Sequence, residues 1–361
     1  MKILFYAING IGLGHVVRTT SLATAIRKIS RRTEILFVTN TRFPFFLKRN
    51  KIPFSRTDFS WVESVSEKRS VRTIKRLLRE ADPDAVVYDT VFPERALRDP
   101  CSRGRTNVLI LRERGERTMR ELFSNSSLWF FDRIIIPHAR RDFAFDLPAD
   151  LRRRARFVGP IIRDYSLGRT REMAKKYRLR GKFVITVTCG GGGHPVLSEI
   201  FVCAVVGALQ RLRLPDVRAV VVTGPLFRKD MGHLEKNILL VSFEPDLPSL
   251  IKASNLVICE AGYNTINEVI KIRTPAVILP AKRQYDDQFG RARRLEERGA
   301  VVVVPRPEPD ALRDAVLNLY RDRKRLAKMR RRFPVLRQGN EVAAKIILEA
   351  ARQGPAGRRD I

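Results

Sequence analysis

The sequence predicts two α/β domains, each built on a doubly wound parallel sheet, and three observations carry that prediction. Short β-branched runs alternate with helical patterns along the chain, as parallel strands joined by crossover helices require. Two glycine-rich turns, in KILFYAINGIGLGHVVR at 2–18 and FVITVTCGGGGHP at 183–195, each follow a strand and close on a histidine. One opens the chain and the other lies near its midpoint, and 361 residues suit two such domains better than one core.

In the first half, strands are expected at 2–8, 34–40, 85–89, 107–111 and 133–137, with helices at 15–30 and 71–80. RFVGPIIRDY at 156–165 reads as a last strand and an exit. The second half repeats the scheme, with strands at 183–188, 219–223, 238–241, 256–259, 276–280 and 301–304. Its helices are expected at 195–212, 247–253, 265–271, 284–298 and 310–332, followed by an amphipathic segment at 341–352. The expected organisation is a first domain at 1–160, a linker at 161–182, a second domain at 183–338, and a terminal helix at 339–361 returning towards the first.

Composition bounds the function. Hydrophobic content of 44% is ordinary for a globular protein. The longest unbroken apolar run, at 201–209, is far shorter than the ~20 residues of a spanning helix. The first residues fit a strand better than a signal peptide. Cys101, Cys189, Cys203 and Cys259 lie far apart without CxxC spacing, which suits thiols in a reducing cytoplasm. The charge is the unusual quantity: +32, from 70 Lys and Arg against 38 Asp and Glu. It concentrates at 69–79, 152–156, 169–182 and 321–332. Such a field attracts phospholipid surfaces, nucleic acid or phosphorylated substrates, whereas its bland reading is a set of solvated helix faces. No RRM, KH or zinc signature accompanies it, so a nucleic-acid-binding protein is the distant alternative, motivated by the charge alone.

A glycine turn at a helix start presents backbone N–H groups and the positive end of a helix dipole, which suits a phosphate. Gly190, Gly191, Gly192 and Gly193 form such a turn, with His194 and Pro195 expected to start the next helix. No Lys-Ser/Thr pair follows, so it is not a P-loop, and it lacks GxGxxG. Further on, ICEAGYNTINEVIKIRTPAVILPAKRQYDDQFGRARRLEERGA at 258–300 places Glu268 in the first turn of an expected helix. A carboxylate there can accept from both ribose hydroxyls. Asp286, Asp287 and Gln288 stand at another helix start, where acids also occur merely because the dipole favours them.

This stretch resembles the donor-binding signature of the GT-B glycosyltransferases related to MurG and the UDP-glucuronosyltransferases. Gly262, Thr265, Glu268, Pro275, Asp286, Gln288 and Ala292 match its Gly-x-x-Thr-x-x-Glu, Gly-x-Pro and Asp-x-Gln-x-x-Asn-Ala pattern. The resemblance implies two Rossmann-like domains facing a cleft and an inverting transfer of hexose or N-acetylhexosamine from a UDP-sugar to a hydroxyl. It places Gly190–Gly193 and Arg163 at the nucleotide diphosphate and Phe243 at the base. The first turn, GIGLGHVVR, resembles the family's N-terminal Gly-x-Gly-Gly-His loop, which implies substrate contact at Gly14 and a general base at His15. Asp89, ending the AVVYD strand, is expected to orient His15 or meet the acceptor.

Three departures stand out. YDTVFPE at 88–94 occupies the place of a glycine loop that meets the acceptor's diphosphate in the family. Arg291 replaces an asparagine, and GxGHxxR also resembles a UDP-sugar hydrolase of nonulosonic acid synthesis. A nucleotide-sugar hydrolase or epimerase on the same scaffold is therefore the competing reading. The Asp-x-Asp triplet at Asp82–Asp84 precedes its strand, so no metal and no cofactor are expected. The expected location is cytoplasmic, at the inner face of an anionic membrane if the acceptor is a lipid.

Overall fold

A computed structural model describes residues 1–60, 68–99, 102 and 104–355, so Cys101 lies outside the described residues. The chain divides into two compact units, Met1–Ile162 with Arg337–Ile361, and Arg163–Leu336.

The first unit holds seven parallel strands: β1 (Lys2–Tyr6), β2 (Glu34–Thr39), β3 (Phe54–Arg56), β4 (Ala85–Asp89), β5 (Thr106–Ile110), β6 (Arg133–Ile136) and β7 (Ala155–Phe157). Their spatial order is β3-β2-β1-β4-β5-β6-β7. β4 and β5 are buried at every residue, and their apolar stretches Ala85–Tyr88 and Val108–Ile110 show none of the alternation of a half-exposed strand. β3 escapes the sequence pattern because it is a three-residue edge strand with two exposed positions. Helix α1 (Gly14–Ile29) follows β1, and α2 (Lys68–Ala81) leads into β4. On α2, Val71, Ile74 and Leu78 recur at helical spacing and join Leu4, Tyr6, Val86 and Tyr88 in the core. The strand order reverses between β1 and β4, and open α/β sheets bind ligands outside the strand ends at such a switch point.

The last helix, Asn340–Gln353, belongs to this unit and packs on α1, with the Thr106 hydroxyl donating to the Ala350 carbonyl at 3.2 Å. Its entry is fixed where Gly339 N–H donates to Pro160 O at 2.8 Å and Asn340 brackets Ile162 with two hydrogen bonds. A Cβ on Gly339 would collide with the Gly159 carbonyl, and one on Gly159 with the Arg337 carbonyl. Only glycine lets these two segments approach so closely.

The second unit holds six parallel strands: β8 (Phe183–Thr188), β9 (Val217–Val222), β10 (Ile238–Val241), β11 (Leu256–Cys259), β12 (Ala276–Ile278) and β13 (Val301–Val303). The order β10-β9-β8-β11-β12-β13 puts the switch point between β8 and β11. Its longer helices are α3 (Leu167–Lys176), α4 (Leu197–Leu212), α5 (Tyr263–Ile272), α6 (Gln288–Glu297), α7 (Pro309–Arg321) and α8 (Arg323–Arg332). Residues 161–182, read from sequence as a linker with a short helix, carry α3, and Met173, Tyr177 and Leu179 enter the same core as Val184, Val220 and Leu250. The single helix expected at 310–332 is two, because Asp322 is non-helical and its carboxylate caps a second start by accepting from Arg325 N–H at 2.8 Å. Among the described residues no helix is long and apolar enough to cross a membrane.

Candidate active site

In the first unit the turn after β1 is locked from below. Asn9 and Asn40 exchange backbone and side-chain hydrogen bonds at 2.8 and 2.9 Å, and the Asn9 side chain accepts from Val16 N–H at 3.2 Å. Asn9 thus satisfies an orphan amide at the start of α1, a task that Leu13, at the N-cap, cannot perform. Gly14 and His15 open that helix, and His15 is left free of capping duty.

His15 lies beside Asp89, the last residue of β4, across the switch point. Its Nδ1 is 3.1 Å from the Asp89 carboxylate and 3.2 Å from the Asp89 carbonyl. These two are acceptors and lie nearer than the Arg18 Nη2 donor, at 3.5 Å, which favours the proton on Nδ1 and the lone pair on Nε2. The imidazole is 16% exposed, whereas Asp89 is fully buried. Burial of the imidazole holds its pKa below the ordinary 6.5, and Asp89 opposes that shift. Asp89 is held down to about 2 against a large desolvation cost, chiefly by Arg18 and then by His15. Arg18 is the residue that the sequence reading left without a role, although it stands in the GxGHxxR pattern. The other histidine of this unit, His138, is buried and accepts from Glu113 N–H through Nε2 at 3.1 Å, as a satisfied interior residue.

In the second unit the four glycines divide their work. Gly190 has φ +76 and open space where a side chain would stand, while its N–H donates to the Thr188 hydroxyl at 3.1 Å. Gly192, at φ +66, is pressed against the Thr223 carbonyl and Phe227, and Gly224 (φ +90) is pressed against Gly190 and Gly191. The turn is therefore buttressed by a glycine after β9, and Leu226 N–H donates to Gly191 O at 3.1 Å. His194 Nδ1 accepts from Leu197 N–H at 3.1 Å, so this histidine caps α4. Pro195 precedes the helix start rather than opening it, since α4 begins at Leu197. The two histidines that look alike in sequence thus do different things.

Arg163 and Glu268 meet. Arg163 Nε and Nη2 donate to the two Glu268 oxygens at 2.7 and 2.9 Å, and Nη1 reaches Pro245 O at 3.4 Å, two residues beyond Phe243. α5 starts at Tyr263, with Gly262 as N-cap, so Glu268 lies in the second turn instead of the first and is 1% exposed. Thr265 stays partly exposed in the first turn. Phe243 is half-buried in the loop after β10.

The acids near α6 also divide. Asp287 is its N-cap, accepting from Gly290 N–H at 2.9 Å, so the dipole reading describes it. α6 begins at Gln288, four residues later than the expected 284. Gln288 is 3% exposed, and its Oε1 accepts from Ala261 and Ala281 N–H at 3.1 and 3.0 Å, stitching together the chain beyond β11 and β12. Asp286 accepts from Arg291 at 2.7 Å, and Arg291 also donates to Ala261 O. Arg291, which departs from the family pattern, is thus part of the same brace. Glu260, unmarked by sequence reasoning, is buried at the end of β11 and accepts from Arg283 at 2.9 and 3.2 Å. Burial raises its pKa, with Arg283 opposing. Cys189 and Cys259 are pushed up to about 12 by burial and the charge of Glu260, so they remain protonated thiols rather than nucleophiles.

Both units place their polar groups at the switch point of a parallel sheet, one around a neutral histidine and one around an arginine and a glycine turn. Residues 184–346 match the glycosyltransferase family 28 C-terminal domain. The chain has the GT-B fold, and its second unit is similar to that family's C-terminal domain. An N-acetylglucosamine transferase from Alkaliphilus metalliredigens, named for UDP-N-acetylglucosamine and a pyrophosphoryl-undecaprenol acceptor, is 29% identical over 181 residues, 47% of this chain and 48% of the relative. The chain spans about half the length of the first curated relatives it matches. The protein of the same name from Acetivibrio thermocellus is 24% identical over 352 residues, 91% of this chain and 92% of that one. Among solved structures, spinosyn forosaminyltransferase SpnP superimposes with a TM-score of 0.71 at 17% identity, covering 97% of this chain and 99% of the other. Acinetobacter baumannii MurG gives 0.59 at 15% identity, covering 97% and 100%. At these identities the structures speak for the GT-B fold alone.

Proposed function

We propose that the protein is an inverting glycosyltransferase that moves a sugar, N-acetylglucosamine first among candidates, from UDP to a hydroxyl of a lipid-linked acceptor. The observation that carries this reading is the neutral His15, with Nδ1 committed to Asp89 and Nε2 left to accept a proton. As the acceptor oxygen bonds to the anomeric carbon, its proton passes to His15 Nε2 and the bond to UDP breaks with its electron pair leaving on the diphosphate. Arg163 and the amides of Gly190–Gly193 meet that charge, with the start of α4 behind them. A nucleotide takes both members of the Arg163–Glu268 pair, the carboxylate by ribose hydroxyls and the guanidinium by the diphosphate, while Phe243 and its loop lie against the base. Gly14, Gly262 and Thr265 border the substrates, and Asp286 and Gln288 shape the sugar pocket through the brace they form.

Fixed cations and amides make a divalent ion unnecessary in this scheme. The Asp82–Asp84 triplet supports it, because Asp84 accepts from Lys2 N–H at 2.6 Å, at the edge of the sheet opposite the strand ends. The basic face of α2 and the wider positive charge fit attachment to the inner face of an anionic membrane that carries the acceptor.

The test is release of UDP from UDP-N-acetylglucosamine, with and without bacterial lipid extract. Acceptor-dependent release with sugar recovered in the lipid phase supports the transferase. Rapid release of free sugar that no extract stimulates replaces it with the hydrolase, which the same histidine could serve by activating water.

A further inference from the structure

Arg18 lies one helical turn beyond His15, so both side chains leave the same face of α1. It is 2% exposed, and its Nε and Nη2 donate to Asp89 Oδ1 at 3.1 and 2.8 Å while Nη2 also reaches Oδ2 at 2.8 Å. The carboxylate is held from a third side by the Thr90 hydroxyl at 3.2 Å. Thr90 itself sits at φ +71, a conformation that costs a β-branched residue energy. Two hydrogen bonds keep it there, from Arg114 to its carbonyl and from its own N–H to Ile110 O at 3.0 Å.

The charge count gives the arrangement its meaning. A bare carboxylate beside a histidine favours the imidazolium and makes a stronger base that is protonated sooner. Here the Asp89 charge is already balanced by a buried guanidinium. The charged groups that act on the imidazole are Asp89 from β4, Arg18 from α1 and Arg112 from the chain just beyond β5, so cations outnumber anions around it.

We propose that Arg18 is a positioning residue for the His15 base, an inference that rests on the function proposed above. By closing on both oxygens of Asp89 it balances that charge and fixes the carboxylate's direction. His15 then keeps its proton on Nδ1, offers Nε2 and stays neutral in mildly acid conditions. The same balance lets a proton taken from the acceptor pass on to water, because no uncompensated carboxylate retains it.

Two measurements test this. In protein labelled with ¹⁵N-histidine, the His15 ring is expected as the neutral Nδ1–H form at pH 6.5, and as mostly protonated at that pH in Arg18→Met. In the acid limb of kcat/KM for UDP release, Arg18→Met should be about tenfold below the wild-type ratio at pH 6 once both are normalised at pH 8. Arg18→Lys, which keeps the charge, should move the limb less. Uniform loss at every pH with an unchanged tautomer would make Arg18 a structural clamp only and overturn the proposal. If Arg18→Met does not fold, the wild-type spectrum decides: an Nε2–H tautomer, or a ring half-protonated above pH 6.5, overturns it. Full activity in His15→Ala would instead defeat the proposed function, and the ¹⁵N spectra would still read the His15–Arg18 coupling.

Discussion

Arg163 occupies both carboxylate oxygens of Glu268, at 2.7 and 2.9 Å, and none of the Glu268 side chain reaches solvent. The two groups proposed for diphosphate and ribose therefore satisfy each other, and a nucleotide must replace each partner with one of its own. Glu268→Ala removes the ribose contact but releases the arginine. UDP should bind the variant more weakly by about 1–3 kcal/mol, whereas 2′,3′-dideoxy-UDP should lose nothing. Calorimetry with both ligands checks this, and equal losses would reduce Glu268 to a holder of Arg163.

Removing the other partner has a different signature. Arg163→Met leaves a buried carboxylate without its ion pair, which costs about 3–5 kcal/mol where such pairs are broken one-sidedly. The second unit should unfold at markedly lower denaturant, and Arg163→Met with Glu268→Gln should recover much of the loss. A single variant as stable as wild type would show that the pair contributes nothing.

His15→Ala should lower turnover by roughly 10²–10⁴-fold while leaving UDP affinity unchanged, because the proposed base and the groups proposed for the nucleotide belong to different units. A parallel loss of UDP binding would assign His15 to the donor instead of the proton.

Asp89 is held near 2 against its ordinary 3.8, and His15 below 6.5. In both cases the unfolded chain takes up the proton more readily, so stability rises with pH across each window. What these groups contribute is complete above pH 6.5. It falls first as the pH drops below 6.5, through His15, and again from about 3.8 towards 2, through Asp89. Hydrogen exchange of the β1 and β4 amides between pH 7.5 and 5 should show the first decline in wild type and a smaller one in His15→Gln. Identical slopes would remove His15 from the account.

The glycine turn separates binding from stability. Gly190→Ala puts a methyl group into open space at positive φ, a strain of roughly 1–2 kcal/mol, and narrows the approach to the turn, so UDP binding should suffer more than folding. Gly224→Ala collides with the turn's own backbone and should harm both. Chelation by EDTA should spare most activity in wild type, and full loss restored by magnesium would return attention to Asp286 and Glu260.

Much of the architecture was legible because buried parallel strands leave unbroken β-branched runs, and the longer core strands of both sheets do so. β3 was not legible, having two exposed residues out of three, nor was the break at Asp322, where one capping aspartate interrupts an otherwise continuous helical pattern. At the site, sequence marked residue types but not their partners. Glu268 and Arg163 lie 105 positions apart, and only folding shows that they meet. His15 and His194 look equivalent in their turns, yet Asn9 frees one from capping while the other must cap its own helix. Arg18 and Glu260 passed unnoticed because lone charges in a chain with 108 of them, 70 basic and 38 acidic, carry no signal until their burial is known.

The glycine crossing at Gly159 and Gly339 has a consequence for biosynthesis. The first unit needs Asn340–Gln353 against α1, so it is discontinuous in the chain. Domains usually complete their folding in the order in which they leave the ribosome. Here residues 163–336 emerge as a finished set while the earlier unit still lacks a helix. The helix that carries His15 thus acquires its full scaffold only after residues 163–336 have been made, and α1 keeps an uncovered apolar face until Asn340–Gln353 follows.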